Sequence, residues 1–282
     1  MHAKSAAYPN ILTLVLLSFV LAFSYAETLH AESVLQVLPT RVVMEGNTRS
    51  VTVTLVNRGD EDGTYRMFFR NLRMDANGVM TEVKAGEQLE AELFADNMLR
   101  FSPRRITVPA RSKQTIRVVA RKPSDLGEGE YRSHLVFRKL KTQNSVLNQN
   151  AGENQVSFAL RAVVEVTIPI IVRHGEQSAS MNIADASMGQ SDEGTKTMDF
   201  TLTRQGSRSI YGDVNLWEIT PQGEKRNIGR ARGLAVYAPN HQRSFSIELD
   251  ETKEVASPNS KLLLEYKEDP NFGGNLQANI EL

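Results

Sequence analysis

The stretch NQVSFALRAVVEVTIPIIVR, which runs from Asn154 to Arg173, carries the clearest secondary-structure pattern in the chain. From Val156 to Val172 every second residue is apolar. A period of two indicates a β-strand, because successive side chains of a strand point to opposite faces of its sheet. Strands usually contain about 5 or 6 residues, and this alternation is about three times as long. The sequence therefore predicts a strand that is longer than the sheet of a small domain.

The rest of the sequence also divides into short strands and turns, without one convincing amphipathic helix. Before the long strand, the predicted strands lie in SVLQVLPTRVVMEG, RSVTVTLVN, TYRMFFRNLRM, LRFSPRRITVP, KQTIRVVARKP and GEYRSHLVFRKL. Asn77 and Gly78 are typical of a hairpin tip. After the linker RHGEQSA, the predicted strands lie in SMNIADASM, KTMDFTLTRQG, SIYGDVNLWEIT, RARGLAVYAP, RSFSIELD, KLLLEYKED and NLQANIEL.

Short strands at this spacing favour immunoglobulin-like sandwiches. We therefore predict an all-β protein with two immunoglobulin-like β-sandwich domains in tandem. The first is expected over residues 27–173 and the smaller second over residues 174–282. Trp217, the only tryptophan, is expected in the core of the second sandwich.

The N-terminal residues have the pattern of a secretory signal peptide. Lys4 precedes the apolar run ILTLVLLSFVLAF, and the small residues Ser24 and Ala26 stand at the −3 and −1 places of a cleavage site. The run is shorter than the roughly 20 residues that a membrane span requires. We predict export with cleavage after Ala26, so that residues 1–26 are the signal peptide, and Ala31 is the alternative cleavage position.

The composition excludes several kinds of function. The chain has no cysteine, which excludes disulfides, zinc–thiolate sites and thiol catalysis. Its formal net charge is zero with acids and bases interspersed, so neither nucleic-acid binding nor stable membrane insertion is expected. The histidines at 134, 174 and 241 lack metal-binding spacing, and His134 is expected on a strand surface. Without a nucleophile-elbow motif, we expect no enzymatic activity, no catalytic residue, no metal and no cofactor.

Several segments resemble the periplasmic chaperones of the chaperone–usher pathway, which assemble bacterial pili. LPTRVVMEGNTRSVTVTLVN is similar to the first two strands of that family, and FSPRRITVPARSKQTIRVVARKP is similar to a later strand pair. GEYRSHLVFR and QVSFALRAVVEVTIPIIVR occupy the places of the last two strands of the first domain. In the second domain, LTRQGSRSIYGDVNLW is similar to a hairpin of the family. The resemblance implies a fimbrial assembly chaperone located in the periplasm.

The resemblance also implies a purpose for the long strand. In the family, this strand and the preceding loop supply a missing strand to an incomplete pilus subunit, which is a form of β-strand addition. The donor residues implied here are Val156, Phe158, Leu160, Ala162 and Val164. The apolar residues from Val166 to Val172 are expected to pack mainly against the core of their own domain, which is the usual role of an alternating strand.

Three positions correspond to charged residues of the family. Arg41, in LPTRVV, matches the basic residue that binds the C-terminal carboxylate of the subunit. Arg173 resembles the residue that joins the two domains by an ion pair, although Arg132 stands at the place of its acidic partner and Glu130 is a nearby substitute. Pro169 stands where the family has a second carboxylate-binding lysine, which indicates a divergent branch.

The resemblance implies pilus subunits and an outer-membrane usher as partners, and an exposed donor edge is consistent with a self-capping homodimer. An exported structural β-sandwich protein, either a pilus subunit or an adhesin, is the alternative. A subunit would carry its own alternating donor extension after the signal peptide, whereas ETLHAES is short and polar. An enzyme or carbohydrate-binding sandwich would need clustered carboxylates or an aromatic platform, and neither is visible.

Overall fold

The computed structural model describes residues 32–140, 163–249 and 259–282. The predicted signal peptide and most of the predicted donor residues lie outside these ranges. The first part of the chain forms β1 (Leu35–Leu38), β2 (Val42–Met44), β3 (Ser50–Asn57), β4 (Gly63–Arg70), β5 (Leu72–Met74), β6 (Met80–Glu82), β7 (Leu99–Ser102), β8 (Arg105–Val108), β9 (Lys113–Ala120), β10 (Gly129–Lys139) and β11 (Glu165–His174).

The second part of the chain is also built from strands. They are β12 (Ala179–Gln190), β13 (Lys196–Gly206), β14 (Ile210–Ile219), β15 (Lys225–Val236), β16 (Gln242–Glu248), β17 (Lys261–Glu268) and β18 (Gln277–Glu281). A short 3-10 helix, Pro270–Phe272, lies between the last two strands. Within the described ranges no helix is long and apolar enough to cross a membrane.

The first sandwich packs a sheet of order β1-β3-β9-β7 against a sheet of order β2-β11-β10-β4-β8. Its core is filled by alternate residues of the two facing sheets. The largest fully buried members are Met44, Leu55, Tyr65, Leu99, Ile116, Leu135, Phe137 and Ile170. The prediction of an immunoglobulin-like sandwich is confirmed.

The first predicted strand divides into two strands that join different sheets. β1 pairs antiparallel with β3, whereas β2 pairs parallel with β11. Pro39 lies between them and has no N–H to donate to a strand partner. The division places Arg41, which directly precedes β2, beside Pro169 in the middle of β11.

The second sandwich packs a sheet of order β12-β13-β16 against a sheet of order β15-β14-β17-β18. Val214 and Leu216 of β14 are fully buried in its core. Trp217 belongs to the opposite face of β14, where its ring centroid lies 4.5 Å from the Nζ atom of Lys225. The prediction that Trp217 lies in the core is therefore wrong, because the alternation of β14 directs its side chain outward.

The hairpin predicted at Asn77 and Gly78 is confirmed, since β5 and β6 pair through Met74 and Met80. The hairpin extends from the first sandwich to the second. The carbonyl of Ala76 accepts a hydrogen bond from the backbone N–H of Ser244 at 3.1 Å. This hydrogen bond and the chain segment between β11 and β12 both connect the two sandwiches.

Candidate functional site

The apolar row of β11 begins in the core and ends in solvent. Ile170 and Ile168 are buried in the first sandwich, and Val166 packs partly against the same core. Val164, the next residue in the row, is 57% exposed. The prediction that the C-terminal part of the long strand packs in its own domain is confirmed. The donor residues upstream of Val164, namely Val156, Phe158, Leu160 and Ala162, lie outside the described residues.

One edge of β11 is open where this row leaves the core. β10 pairs with β11 from Glu165 to His174, but β2 pairs with it only from Ile170 to Val172. The carbonyl of Val164 accepts from the backbone N–H of Lys139 on β10, so the backbone groups of the alternate residues 165 and 167 point away from β10. No strand among the described residues pairs with this edge. The open edge is therefore able to hydrogen-bond an added strand.

Arg41 lies between the two sandwiches, at the level of Pro169. Its guanidinium carbon is 3.0 Å from the ring centroid of Tyr211, which belongs to the second sandwich. The Nε and Nη1 atoms of Arg41 are buried and have no hydrogen-bond partner among the described residues. Burial raises the pKa of the Tyr211 hydroxyl, and the charge of Arg41 opposes this shift. The cleft thus contains a cationic side chain, Arg41, with two N–H donor groups that form no hydrogen bond to a described residue.

Arg132 lies on the same face and also contacts the second sandwich. Its guanidinium donates to the carbonyls of Ala238 at 3.2 Å and Leu72 at 3.3 Å, and it lies 4.2 Å from the ring centroid of Tyr237. Burial lowers the pKa of Arg132. Sequence reasoning did not identify either tyrosine, because their proximity to the arginines depends on how the two sandwiches pack.

His134 is buried, with 3% of its surface exposed, and the prediction of a surface residue is wrong. It faces Pro169 on β11 and Arg70 on β4. Burial, and then the charge of Arg132, lowers its pKa to about 3. His134 is therefore neutral at physiological pH.

Arg173 connects the two sandwiches through a buried network. Its Nε donates to Glu130 at 3.0 Å, and its Nη1 donates to Glu45 at 3.0 Å and to the carbonyl of Phe272 at 2.7 Å. Glu130 also accepts hydrogen bonds from the backbone N–H and the hydroxyl of Ser209 in the second sandwich. Glu130, the substitute identified from the sequence, is thus the acidic residue opposite Arg173 in the β10–β11 ladder.

An apolar cluster surrounds these charged contacts. It combines Val43, Met74, Met80 and Ile171 of the first sandwich with Tyr211, Ala235, Tyr237 and Phe272 of the second. Burial of such a cluster stabilises the arrangement by roughly 25 cal/mol for each Å² of apolar surface removed from water. The cleft is consequently a packed junction. In it, Arg132 and Arg173 each leave one buried nitrogen atom without a hydrogen-bond partner among the described residues, and Arg41 leaves two.

A second polar feature covers the outer face of β10, β4 and β11. Glu165 accepts from Arg70 at 2.8 Å and from Arg138 at 2.5 Å, and both guanidinium groups lie over the ring of Phe68. Burial of the Glu165 carboxyl acts to raise its pKa, but the hydrogen bonds from the two arginines outweigh burial and lower it. In the described part of the chain, no group of three or more histidine, aspartate or glutamate side chains is placed to hold a metal ion.

Solved structures that are similar to this chain include fimbrial chaperones. The E. coli chaperone DraB is 13% identical, with 89% of this chain and 97% of that chain covered and a TM-score of 0.43. A chain of the CsuC–CsuE chaperone–tip adhesion subunit complex, from the archaic chaperone–usher Csu pili of Acinetobacter baumannii, is 16% identical, with 88% and 97% covered and a TM-score of 0.43. The YadV chaperone is 13% identical, with 88% and 99% covered and a TM-score of 0.42. No protein-family model and no curated protein matches the sequence.

Replacing Glu130 by alanine is expected to destabilise the fold strongly. The change leaves the buried guanidinium of Arg173 without its buried carboxylate, and breaking such a pair costs about 3–5 kcal/mol. Chemical denaturation at neutral pH measures the loss. Glu90→Ala is the matched control, because Glu90 is exposed and has no ion-pair partner among the described residues. Equal stability of the two variants would contradict this role of Glu130.

The free energy of unfolding is expected to fall on acidification because of His134. The unfolded histidine titrates near its ordinary pKa of 6.5 and the folded one near about 3, so the unfolded chain binds the proton more readily between these values. The expected loss between pH 7.5 and pH 5 is about 2 kcal/mol. The free energy of unfolding of His134→Gln is measured by denaturation at both pH values. Its difference between the two pH values is expected to be smaller than that of the wild type by about this amount.

The exposed His241 provides the control for this measurement. His241→Gln is expected to keep the pH dependence of the wild type. The readout is the difference between the two pH values, so a general loss of stability in His134→Gln does not affect the conclusion. An unchanged difference in His134→Gln would contradict the low pKa.

Proposed function

We propose that this chain is a periplasmic chaperone that captures pilus subunits by donating a strand to them. The observation that carries the proposal is the apolar row of β11, which starts in the core at Ile170 and is exposed at Val164, beside an open strand edge. In the sequence the same alternation continues upstream to Val156. The proposed donor row is therefore Val156, Phe158, Leu160, Ala162 and Val164.

The energetics of strand donation suit a partner with an incomplete sheet. Such a partner exposes backbone groups and an apolar groove, which together promote aggregation. Each backbone hydrogen bond to the donated strand contributes about 0.5–1.5 kcal/mol net. Each apolar donor side chain that is fully buried contributes about 1.5–3 kcal/mol. A row of five apolar residues is therefore sufficient for tight binding.

Arg41 is the proposed anchor for the C-terminal carboxylate of the subunit. Its unused donors in the cleft support this role, because a planar guanidinium binds a carboxylate through two charge-assisted hydrogen bonds. Tyr211 holds the guanidinium in place by stacking against it. Pro169 carries no charge at the position of the second anchor, so Arg41 acts there without a lysine.

Other parts of the proposal concern the cell and follow from the sequence resemblance. The chain is exported with a signal peptide cleaved after Ala26, and it delivers subunits to an outer-membrane usher. In the absence of a subunit, two copies cover each other's open edges as a homodimer. Arg173 holds the two domains, residues 27–173 and 174–282, in the orientation that forms the cleft.

Charged substitutions in the donor row are expected to abolish capture of a subunit. Phe158→Asp and Leu160→Asp place carboxylates where the proposal buries apolar side chains. Ser157→Asp and Ala159→Asp are matched controls, because these residues belong to the other face of an alternating strand. Each variant is co-expressed in the periplasm with the pilus subunit encoded beside this protein, and the soluble one-to-one complex is recovered by affinity purification. Equal loss in all four variants, or in none, would contradict strand donation.

Arg41→Ala is expected to weaken subunit binding at least tenfold. The loss corresponds to a charge-assisted interaction of about 1.5–3 kcal/mol. Arg49→Ala is the control, since Arg49 is an exposed arginine of the same sandwich that precedes β3. Affinity is measured by displacement of the purified complex with a competing donor-strand peptide. If Arg41→Ala retains full affinity while the donor-row variants lose it, the strand holds the subunit without a carboxylate anchor. If wild type captures no subunit, the chaperone function is wrong.

A further inference from the structure

The second sheet of the first sandwich has another open edge, on the far side from β11. β10 pairs with β4 from Tyr65 to Arg70, but β8 pairs with β4 only from Gly63 to Arg66. The opening lies between β4 and β7, which is the edge strand of the facing sheet. It forms a cavity of about 470 Å³, called here the β4 groove, which is lined by Arg66, Phe68, Phe69, Arg100, Phe101 and Arg104.

The backbone of β4 is available for pairing at one point of this groove. The N–H of Met67 donates to the carbonyl of Arg104, and the carbonyl of Asn71 accepts from the N–H of Val83. Phe69 lies midway between Met67 and Asn71, and its backbone groups point to the same side of the strand as theirs. The N–H and C=O of Phe69 therefore point into the space between Arg104 and Val83, which pair with Met67 and Asn71 and not with Phe69. An added strand would satisfy these groups.

The base of the β4 groove is aromatic. The ring centroids of Phe69 and Phe101 are 5.1 Å apart at an interplanar angle of 80°, and both residues are partly buried. The edge-to-face arrangement leaves a recess for one side chain rather than a flat surface for stacking. Apolar side chains fit such a recess better than nucleobases, which stack on flat aromatic faces.

The rim of the groove carries an excess of positive charge. Arg66, Arg100 and Arg104 are exposed and form no ion pair with any described residue, whereas the lining contains one carboxylate, Asp96. Arg66 also lies directly opposite Arg105 on β8 and Arg138 on β10. Like charges directly opposite each other destabilise a sheet. Among the residues that the structure describes, Glu165 is the only carboxylate that pairs with this row, and it pairs with Arg138.

We propose that the β4 groove binds an acidic peptide segment of a partner protein, with an apolar or aromatic side chain between its carboxylates. The carboxylates pair with Arg66 and Arg104, the apolar side chain enters the recess at Phe69 and Phe101, and the peptide backbone pairs with the open edge of β4. The unpaired backbone groups favour an extended peptide, and the excess of arginines favours an acidic one. The proposal does not rest on the proposed chaperone function, because β10 and β4 separate the groove from the open edge of β11.

The test uses a fluorescently labelled hexapeptide of alternating glutamate and phenylalanine and measures binding to the full mature chain by anisotropy. The double variant Arg66→Glu/Arg104→Glu is expected to lose at least tenfold in affinity. Arg232→Glu, which changes an exposed arginine on β15 of the second sandwich, is expected to bind as the wild type does. Peptides with lysine in place of glutamate, or alanine in place of phenylalanine, are expected to bind at least tenfold more weakly than the parent peptide.

Two further measurements make the outcome specific. Amide chemical shifts of Phe69 and Phe101 are expected to change on titration with the acidic peptide, and equal thermal denaturation of the variants shows that they fold. An Arg66→Ala/Arg104→Ala variant repeats the test if charge reversal perturbs folding. Equal binding of the lysine peptide, unchanged affinity of the double variants, or equally tight binding of an oligonucleotide of the same charge at this site would overturn the proposal.

Discussion

The buried guanidinium of Arg173 constrains the arrangement of the whole molecule. A charge taken out of water is tolerated only if nearby groups pair with it. Its partners come from distant parts of the chain: Glu130 of β10, Glu45 after β2 and the carbonyl of Phe272 in the second sandwich. All of these contacts form together only when the two sandwiches are packed as observed. The hydrogen bonds of the Arg173 guanidinium therefore restrict how the two sandwiches are arranged around the cleft.

The packed junction determines which polar groups remain available. The second sandwich contacts the outer face of β10 at Arg132, through Ala238 and Tyr237, and Arg132 is buried there. Arg132 uses two of its donors on carbonyls of both sandwiches, whereas Arg41 stacks on Tyr211 and keeps two buried nitrogen atoms without a partner. Arg41 therefore lies beside Pro169 in the middle of β11, where the open edge begins. An extended partner that ends in a carboxylate matches both features at once.

The same sheet has open edges on both sides, and their chemistry differs. The edge at β11 continues an apolar row that begins in the core, whereas the edge at β4 is bordered by arginines without ion-pair partners in the described residues. Exposed edges invite aggregation, and charged side chains are a usual protection against it. The arginines of the β4 groove protect that edge from pairing with apolar strands while leaving it open to acidic ones.

Alternation in the sequence by itself determined most of the strands and the burial of Ile168 and Ile170, and the Asn-Gly pair determined the hairpin at Asn77 and Gly78. These features depend on local geometry, because a period of two assigns each residue to a face of its strand. The sequence offered Glu130 only as a nearby substitute, and the tertiary structure pairs it with Arg173. Only the tertiary structure decided that His134 is buried and that Tyr211 stacks on Arg41. What covers a face depends on strands and domains far away in sequence, and no local pattern carries that information.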